Sequence, residues 1–309
     1  MRQAAEVTRE PQANPQMNRP AEPPSIGRRA FRWGMRFGIF LAALACGALG
    51  WLAWNRPRPT PPGEIFQGVV YSCEELSKDA EGSGQAYFVE VDLTRPGVAM
   101  YVTPLDPEAV AHGWEYRLRW TPTVAKEERL SVVVNGTLFD CSQGKIRLPG
   151  VYARAIETVV ADRQVNHLDP YSYLLWFEDD MTPHLERRKP PPGDSLRRAR
   201  WGIASQVLAL DDGKVPAWAG REPESQVLAG LDPKRKLLIL AAFENASLAR
   251  AARMIANRGA VDAIAMDGGG SASMVLGEGA RGVGGRTLLW PKRAVATHFG
   301  IRALGLEHR

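Results

Sequence analysis

Asp267-Gly268-Gly269-Gly270-Ser271 sets a carboxylate and a hydroxyl on either side of a run of glycines. Glycine loses more backbone entropy on ordering than any other residue, so a local need for bare backbone must offset that loss. Without Cβ atoms the chain turns sharply and brings its N–H groups against a ligand oxygen, as anion-binding nests do. The expected chemistry is binding of, and attack on, an oxyanion-bearing or polyhydroxylated substrate. The plain alternative is a tight strand-to-helix turn that Asp267 caps. Nucleotide chemistry fits poorly, because no Lys-Ser/Thr follows the glycines and no G-x-G-x-x-G follows an early strand.

The second string is Val134-Asn135-Gly136-Thr137-Leu138-Phe139-Asp140. Asn-Gly at the end of a β-branched run is by default a hairpin turn. Read with the glycine string, it adds an amide and a second carboxylate, Asp140. Asp267, Asp140 and Asn135 are all oxygen ligands, so a divalent metal is possible, without a commitment to one. His298, five residues after Arg293, is a candidate acid or base, although a lone histidine in a strand is more often structural. His112, His167, His184 and His308 lack metal-ligand spacing, and no Gly-x-Ser-x-Gly elbow marks a serine hydrolase.

Taken together and in this order, Val-Asn-Gly-Thr-Leu-Phe-Asp and Met-Asp-Gly-Gly-Gly-Ser resemble the signatures of the phosphodiester glycosidase family, over roughly Tyr87 to Ile301. The resemblance implies hydrolysis of a sugar phosphodiester or a related glycosidic bond, with a carbohydrate or sugar-phosphate as partner. Asp267 is then the first candidate for base or nucleophile, and Asp140 the second if the two strand ends converge. Asn135 is expected to hydrogen-bond a sugar hydroxyl or acyl group. The N–H groups of Gly268, Gly269 and Gly270, with Ser271 beside them, are expected to hold phosphate oxygens, and Arg293 to neutralise their charge. Gln226 stands where the family often carries an arginine, and Ala272 where a second serine is sometimes found. Arg221 is a neighbouring base able to compensate. The rival readings are a non-catalytic envelope protein that keeps the fold and binds glycan, and a membrane assembly factor working through its N-terminal tail.

The elements that must position these strings follow from periodicity. Gln85 to Leu93 alternates as a half-buried strand does, Arg95-Pro96-Gly97 breaks it, and residues 98–102 read as its returning partner. Ser131 to Val134 is a short β-branched run, and Leu237 to Ala242 an apolar central strand. A helix follows Ser247, with Asn245 as the rival cap. Leu248, Ala251, Ala252, Ile255 and Ala256 share one face, and Gly259 provides the stop. Ala260 to Met266 is then a strand that ends in the glycine string. The expected class is α+β, a mixed β-sheet with packed helices in one domain over residues 64–309. Glu186 to Arg200 is a charged Pro/Gly loop, read as a solvated excursion or as a basic lip for an anionic polymer.

Ahead of this domain, Phe37 to Trp54 runs without a charge and covers about 27 Å as a helix, near the lower limit for a bilayer. Trp33, Trp51 and Trp54 sit like interfacial aromatics, and Arg28, Arg29, Arg32 and Arg36 favour a cytoplasmic N-terminus. A transmembrane anchor is therefore expected over 33–54, with a disordered tail at 1–30 and a Pro-rich linker at 55–63. The main domain would then be periplasmic or extracellular. A cleaved signal peptide fits less well, since the polar stretch before the run and the run itself are too long. So does acylation at Cys46, since the order of Ala43-Leu44-Ala45-Cys46 is wrong for a lipobox and the apolar run continues past the cysteine. Cys73 and Cys141 would lie in an oxidising compartment, as a disulfide or as small buried hydrophobes. At 45% hydrophobic and 24% charged residues the chain is neither disordered nor collagenous. The net charge of +5 comes largely from the N-terminal arginines, so nucleic acid is not expected as a partner.

Overall fold

Strands dominate because the chain is rich in short β-branched and apolar runs punctuated by Gly, Pro and Asp. A computed structural model describes residues 26–55, 60–187, 193–220 and 222–306. The chain divides into two compact units, Met1–Arg56 and Pro57–Arg309.

In the first unit Ile26–Asn55 is one α-helix. Trp33, Phe37, Phe40 and Leu44 are exposed on it. Among the described residues no helix is long and apolar enough to cross a membrane. The helix thus forms over the expected segment, while the side chains at 51–54, the far end of the expected span, lie outside the described residues. So does the tail as far as residue 25.

The second unit is α+β, with sheets and few helices. Its seven-stranded sheet runs, in spatial order, Thr60–Phe66, Val69–Asp79, Gly82–Asp92, Leu237–Ala246, Glu224–Asp232, Asp262–Ala265 and Leu208–Leu210. Thr60 to Gly63, expected as linker, are already in its edge strand, where Pro is tolerated because no ladder donor is needed on the open side. A five-stranded sheet runs Thr287–Leu289, Met274–Leu276, Val132–Asn135, His298–Arg302 and Ala99–Val102. A second five-stranded sheet contains Val159–Ala161, Tyr173–Phe177 and Trp201–Ser205, and a three-stranded sheet holds Phe139–Cys141. All the described ladder pairs are antiparallel.

Two sequence expectations change here. Ala99–Val102 does not return beside Gly82–Asp92. The turn at Arg95–Gly97 carries it into the other sheet, where it pairs with His298–Arg302 and buries Met100 and Val102 in the main core. Asn135-Gly136 is not a hairpin: Val132–Asn135 ends there and Phe139–Cys141 joins a different sheet. The helix Leu248–Asn257 forms as its periodicity predicts, with the Ser247 hydroxyl accepting from the Arg250 N–H at 3.1 Å. It lays Ala251, Ala252 and Ile255 on Leu228, Ile239 and Ala241 of the large sheet, which closes one face of the strands leading to the glycine string. Cys73 and Cys141 are buried and are not joined in a disulfide. The Glu186–Arg200 stretch contains a short helix, Gly193–Arg198, and its residues 188–192 lie outside the described residues.

Candidate active site

Asp262–Ala265 is buried along its whole length, so the chain leaves it at a fixed height and angle. Just beyond, the Asp267 N–H donates to the Gly136 carbonyl at 3.1 Å. The Asn135 side chain completes the junction. Its Nδ2 donates to the Asp267 carbonyl at 2.7 Å, and its Oδ1 accepts from the Ser273 N–H at 3.0 Å. The two strings thus meet, although about 130 residues separate them in sequence. Asn135 has no exposed surface, and both ends of its amide are engaged with backbone. It is a positioning residue for the glycine turn, not the sugar contact expected from sequence.

The turn itself differs from an open anion nest. Gly269 sits at φ +57°, a region that glycine reaches without a Cβ penalty. Its N–H points at the protein, donating to the Ser225 carbonyl at 2.8 Å, and the Ser271 N–H donates to the Gly268 carbonyl at 3.2 Å. Arg293 closes the far side. Its Nε donates to Ser271 Oγ at 2.7 Å and its Nη2 lies 3.5 Å from Asp267 Oδ2.

These groups open onto a cavity of about 630 Å³. Asp267, Gly268, Gly269, Gly270 and Arg293 form one side. Thr137, Leu138 and Glu157 line it as well, with Glu224 and Gln226. Ser271 is fully buried behind the arginine. Asp140 is not brought in: it is exposed on Phe139–Cys141, whose neighbours on either side point into the core, and alternation along a strand sends it the other way. Arg221 lies outside the described residues.

Glu157 takes the place expected for Asp140. It is 1% exposed, and its carboxyl accepts from the Leu138 N–H at 2.7 Å and the Gln206 N–H at 3.2 Å. Burial pushes this carboxyl up to about 7, against the pull of those two donors and with a smaller push from the Asp267 charge. Burial also raises the Asp267 carboxyl, while Ser271 and Arg293 hold it down. The cavity therefore holds two desolvated acids with different partners, the arrangement by which one site keeps a proton donor beside an ionised carboxylate. The only sequence signal for Glu157 is an acid directly before the β-branched run Thr158-Val159-Val160.

Thr137, on the same cavity wall, has a hydroxyl that is buried without a hydrogen-bond partner among the described residues. His298 is fully buried in its strand opposite Asn135. Its Nδ1 lies 3.3 Å from Thr103 Oγ1, and burial pulls it down to about 3, so it is a neutral structural residue. The oxygen set read from sequence as a possible metal site does not converge. Among the described residues no group of three or more His, Cys, Asp or Glu is able to hold a metal ion.

The meeting point has no room to spare. A Cβ on Gly136 would lie 2.4 Å from Thr297 Oγ1 and 2.8 Å from Ile203 Cδ1. Gly136→Ala is therefore expected to lower stability by about 1–3 kcal/mol, as overpacking does, read as a fall in the thermal midpoint. An unchanged midpoint would mean that the loops are looser than this contact implies.

The model of the family described as phosphodiester glycosidase matches residues 128–302, more than half of the chain. No curated protein matches it. Among solved structures it is similar to a hypothetical protein from Synechocystis, with a TM-score of 0.60 at 12% identity, covering 80% of this chain and 64% of that one. It is also similar to the zebrafish N-acetylglucosamine-1-phosphodiester alpha-N-acetylglucosaminidase catalytic domain auto-inhibited by its pro-peptide. There the TM-score is 0.55 at 15% identity, covering 82% of this chain and 92% of that one. At these identities the two structures speak for the fold alone.

Proposed function

The chain belongs to the phosphodiester glycosidase family, and from that premise we propose that it is a hydrolase acting at the anomeric carbon of a sugar phosphodiester or related glycosidic bond. The observation that carries the proposal is the pair of buried acids, Glu157 and Asp267, on the wall of one cavity beside Arg293. Water's oxygen bonds to C1 while Asp267 takes its proton, or Asp267 attacks C1 first and water follows; the departing oxygen receives its proton from Glu157. The apolar wall from Leu138, Val207, Leu248 and Met266 suits the C–H face of a sugar ring. Two desolvated carboxyls are costly in a site that only binds, which favours catalysis over the glycan-binding rival.

The natural substrate in this reading is cell-envelope polysaccharide, met outside the cytoplasm by a domain held at a membrane through residues 33–54. That placement rests on the uncharged run and its arginine-rich flank. Incubating the full chain with isolated envelope polysaccharide should release reducing ends; no release from any envelope fraction would refute the assignment of substrate.

The pH dependence has a definite sign. Glu157 must be protonated to donate, and its raised pKa keeps the active form populated up to about 7. Above that, kcat/KM should fall tenfold per pH unit. A carboxyl with a folded pKa above its unfolded value also contributes less stability as pH rises from the unfolded value through the folded one. The thermal midpoint should therefore decline from mildly acidic pH up to about 7 and level off beyond it, while activity declines only above about 7. A rate profile flat to well above pH 7 would rule out Glu157 as the donor.

A further inference from the structure

The glycosidase reading leaves open what departs from C1, and the cavity walls bear on it. Among the described residues the lining side chains include the acids Glu222, Glu224 and Asp267, with Glu157 set apart as the proton carrier, against a single guanidinium, Arg293. The acids still outnumber the bases if Arg221, next to Glu222, is added. Arg293 is already engaged with Ser271 and Asp267. The glycine turn is not a full nest, since the Gly269 and Ser271 N–H groups are bonded to backbone carbonyls and at most those of Gly268 and Gly270 are left to face a ligand. Gln226 is uncharged, and its Nε2 donates to Glu224 Oε1 at 3.3 Å. A phosphate group in this cavity would meet like charges in a partly desolvated space, where repulsion is weakly screened.

From this juxtaposition we propose, resting on the hydrolase reading above, that the bond broken here joins C1 of a sugar to the alcohol oxygen of a second, uncharged sugar, and not to a phosphate. The chemistry of departure agrees. A phosphate monoester has its second pKa near 6 and leaves without much help, whereas an alkoxide needs a proton as the C1–O bond breaks. Glu157, raised to about 7, still carries that proton in a large share of molecules as pH approaches neutrality. The step balances as hydrolysis. Water's oxygen bonds to C1 and the C1–O bond breaks with its electron pair on the leaving oxygen. Glu157 supplies the proton that makes this oxygen a hydroxyl, the water proton passes to Asp267, and solvent returns it to Glu157.

The test uses the full chain and matched pairs of probes with the same glycone, glucosyl, mannosyl and N-acetylglucosaminyl in turn. Each pair comprises an O-linked disaccharide and the methyl ester of the sugar-1-phosphate. The disaccharide is expected to be cleaved with at least ~10-fold greater kcat/KM, and inorganic phosphate should not inhibit. Glu157→Gln should lower disaccharide turnover by about 10²-fold or more while lowering cleavage of the nitrophenyl glycoside, whose leaving group needs no proton, far less. The ratio between two substrates in one variant does not depend on how much of it is folded. Preference for the phosphodiester, inhibition by phosphate, or an equal effect of Glu157→Gln on both leaving groups overturns the proposal and leaves the hydrolase reading standing. Failure to cleave either member of any pair overturns both.

Discussion

Asp267→Asn is expected to lower kcat by about 10²–10⁴, the range associated with loss of a positioned acid–base group, without loss of the fold. The residue is anchored through its backbone, by its N–H to Gly136 and its carbonyl from Asn135, and Asn keeps both bonds. Among the described residues its side chain is bonded to Ser271 and paired with Arg293, contacts an amide oxygen can still accept. Stability should hold or rise. Burial lifts the Asp267 carboxyl above its ordinary range, so its ionisation works against the folded state as pH rises past the unfolded value, and a neutral amide removes that opposition. Paired measurements of turnover on a nitrophenyl glycoside and of the thermal midpoint decide the matter. Retained turnover at an unchanged midpoint would refute the assignment of Asp267 to chemistry. A glycan-binding protein would instead keep its affinity in this variant and show no turnover before or after the change.

The division between what sequence disclosed and what it concealed follows from how each residue acts. Gly269 leaves a mark in sequence because its φ of +57° excludes most side chains, and Asp267 is found beside it for that reason. The amphipathic helix Leu248–Asn257 was legible because its period is a local property. So was the existence of the strand Gly82–Asp92, though not its burial: it is covered on both faces, Tyr87 and Val89 in one core cluster and Phe88 in another. Glu157 was not. Its chemistry arises from two N–H donors, at Leu138 and Gln206, and from burial between separate sheets, none of which its neighbours in sequence encode. Asp140 was misplaced for the converse reason: proximity in sequence to Asn135 suggested proximity in space, but strand alternation points it to solvent. Asn135 was rightly singled out and wrongly employed, since an amide that clamps two loops and an amide that binds a sugar look the same until its partners are known.

Asn135→Asp tests that clamp with almost no change of shape. The new carboxylate still accepts from the Ser273 N–H, but where Nδ2 donated to the Asp267 carbonyl at 2.7 Å an ionised oxygen would face a carbonyl oxygen. The site is fully buried, so no water relieves the mismatch, and no cation among its described hydrogen-bond partners offsets the charge. An unpaired buried charge together with a lost hydrogen bond costs about 3–5 kcal/mol, which should appear as a fall in the denaturation midpoint at neutral pH. The sign of its pH dependence distinguishes this account from a simple packing defect. The introduced carboxyl would have a folded pKa above its unfolded value, so its penalty is small at low pH and grows as pH rises through neutrality. Protonated, it regains a donor for the Asp267 carbonyl. The deficit relative to the unmodified chain should therefore shrink on acidification, whereas Asn135→Ala, which lacks any titrating group, should show a deficit independent of pH. Equal and pH-independent losses in both variants would mean that Asn135 merely fills space and that something else holds Asp267 over the cavity.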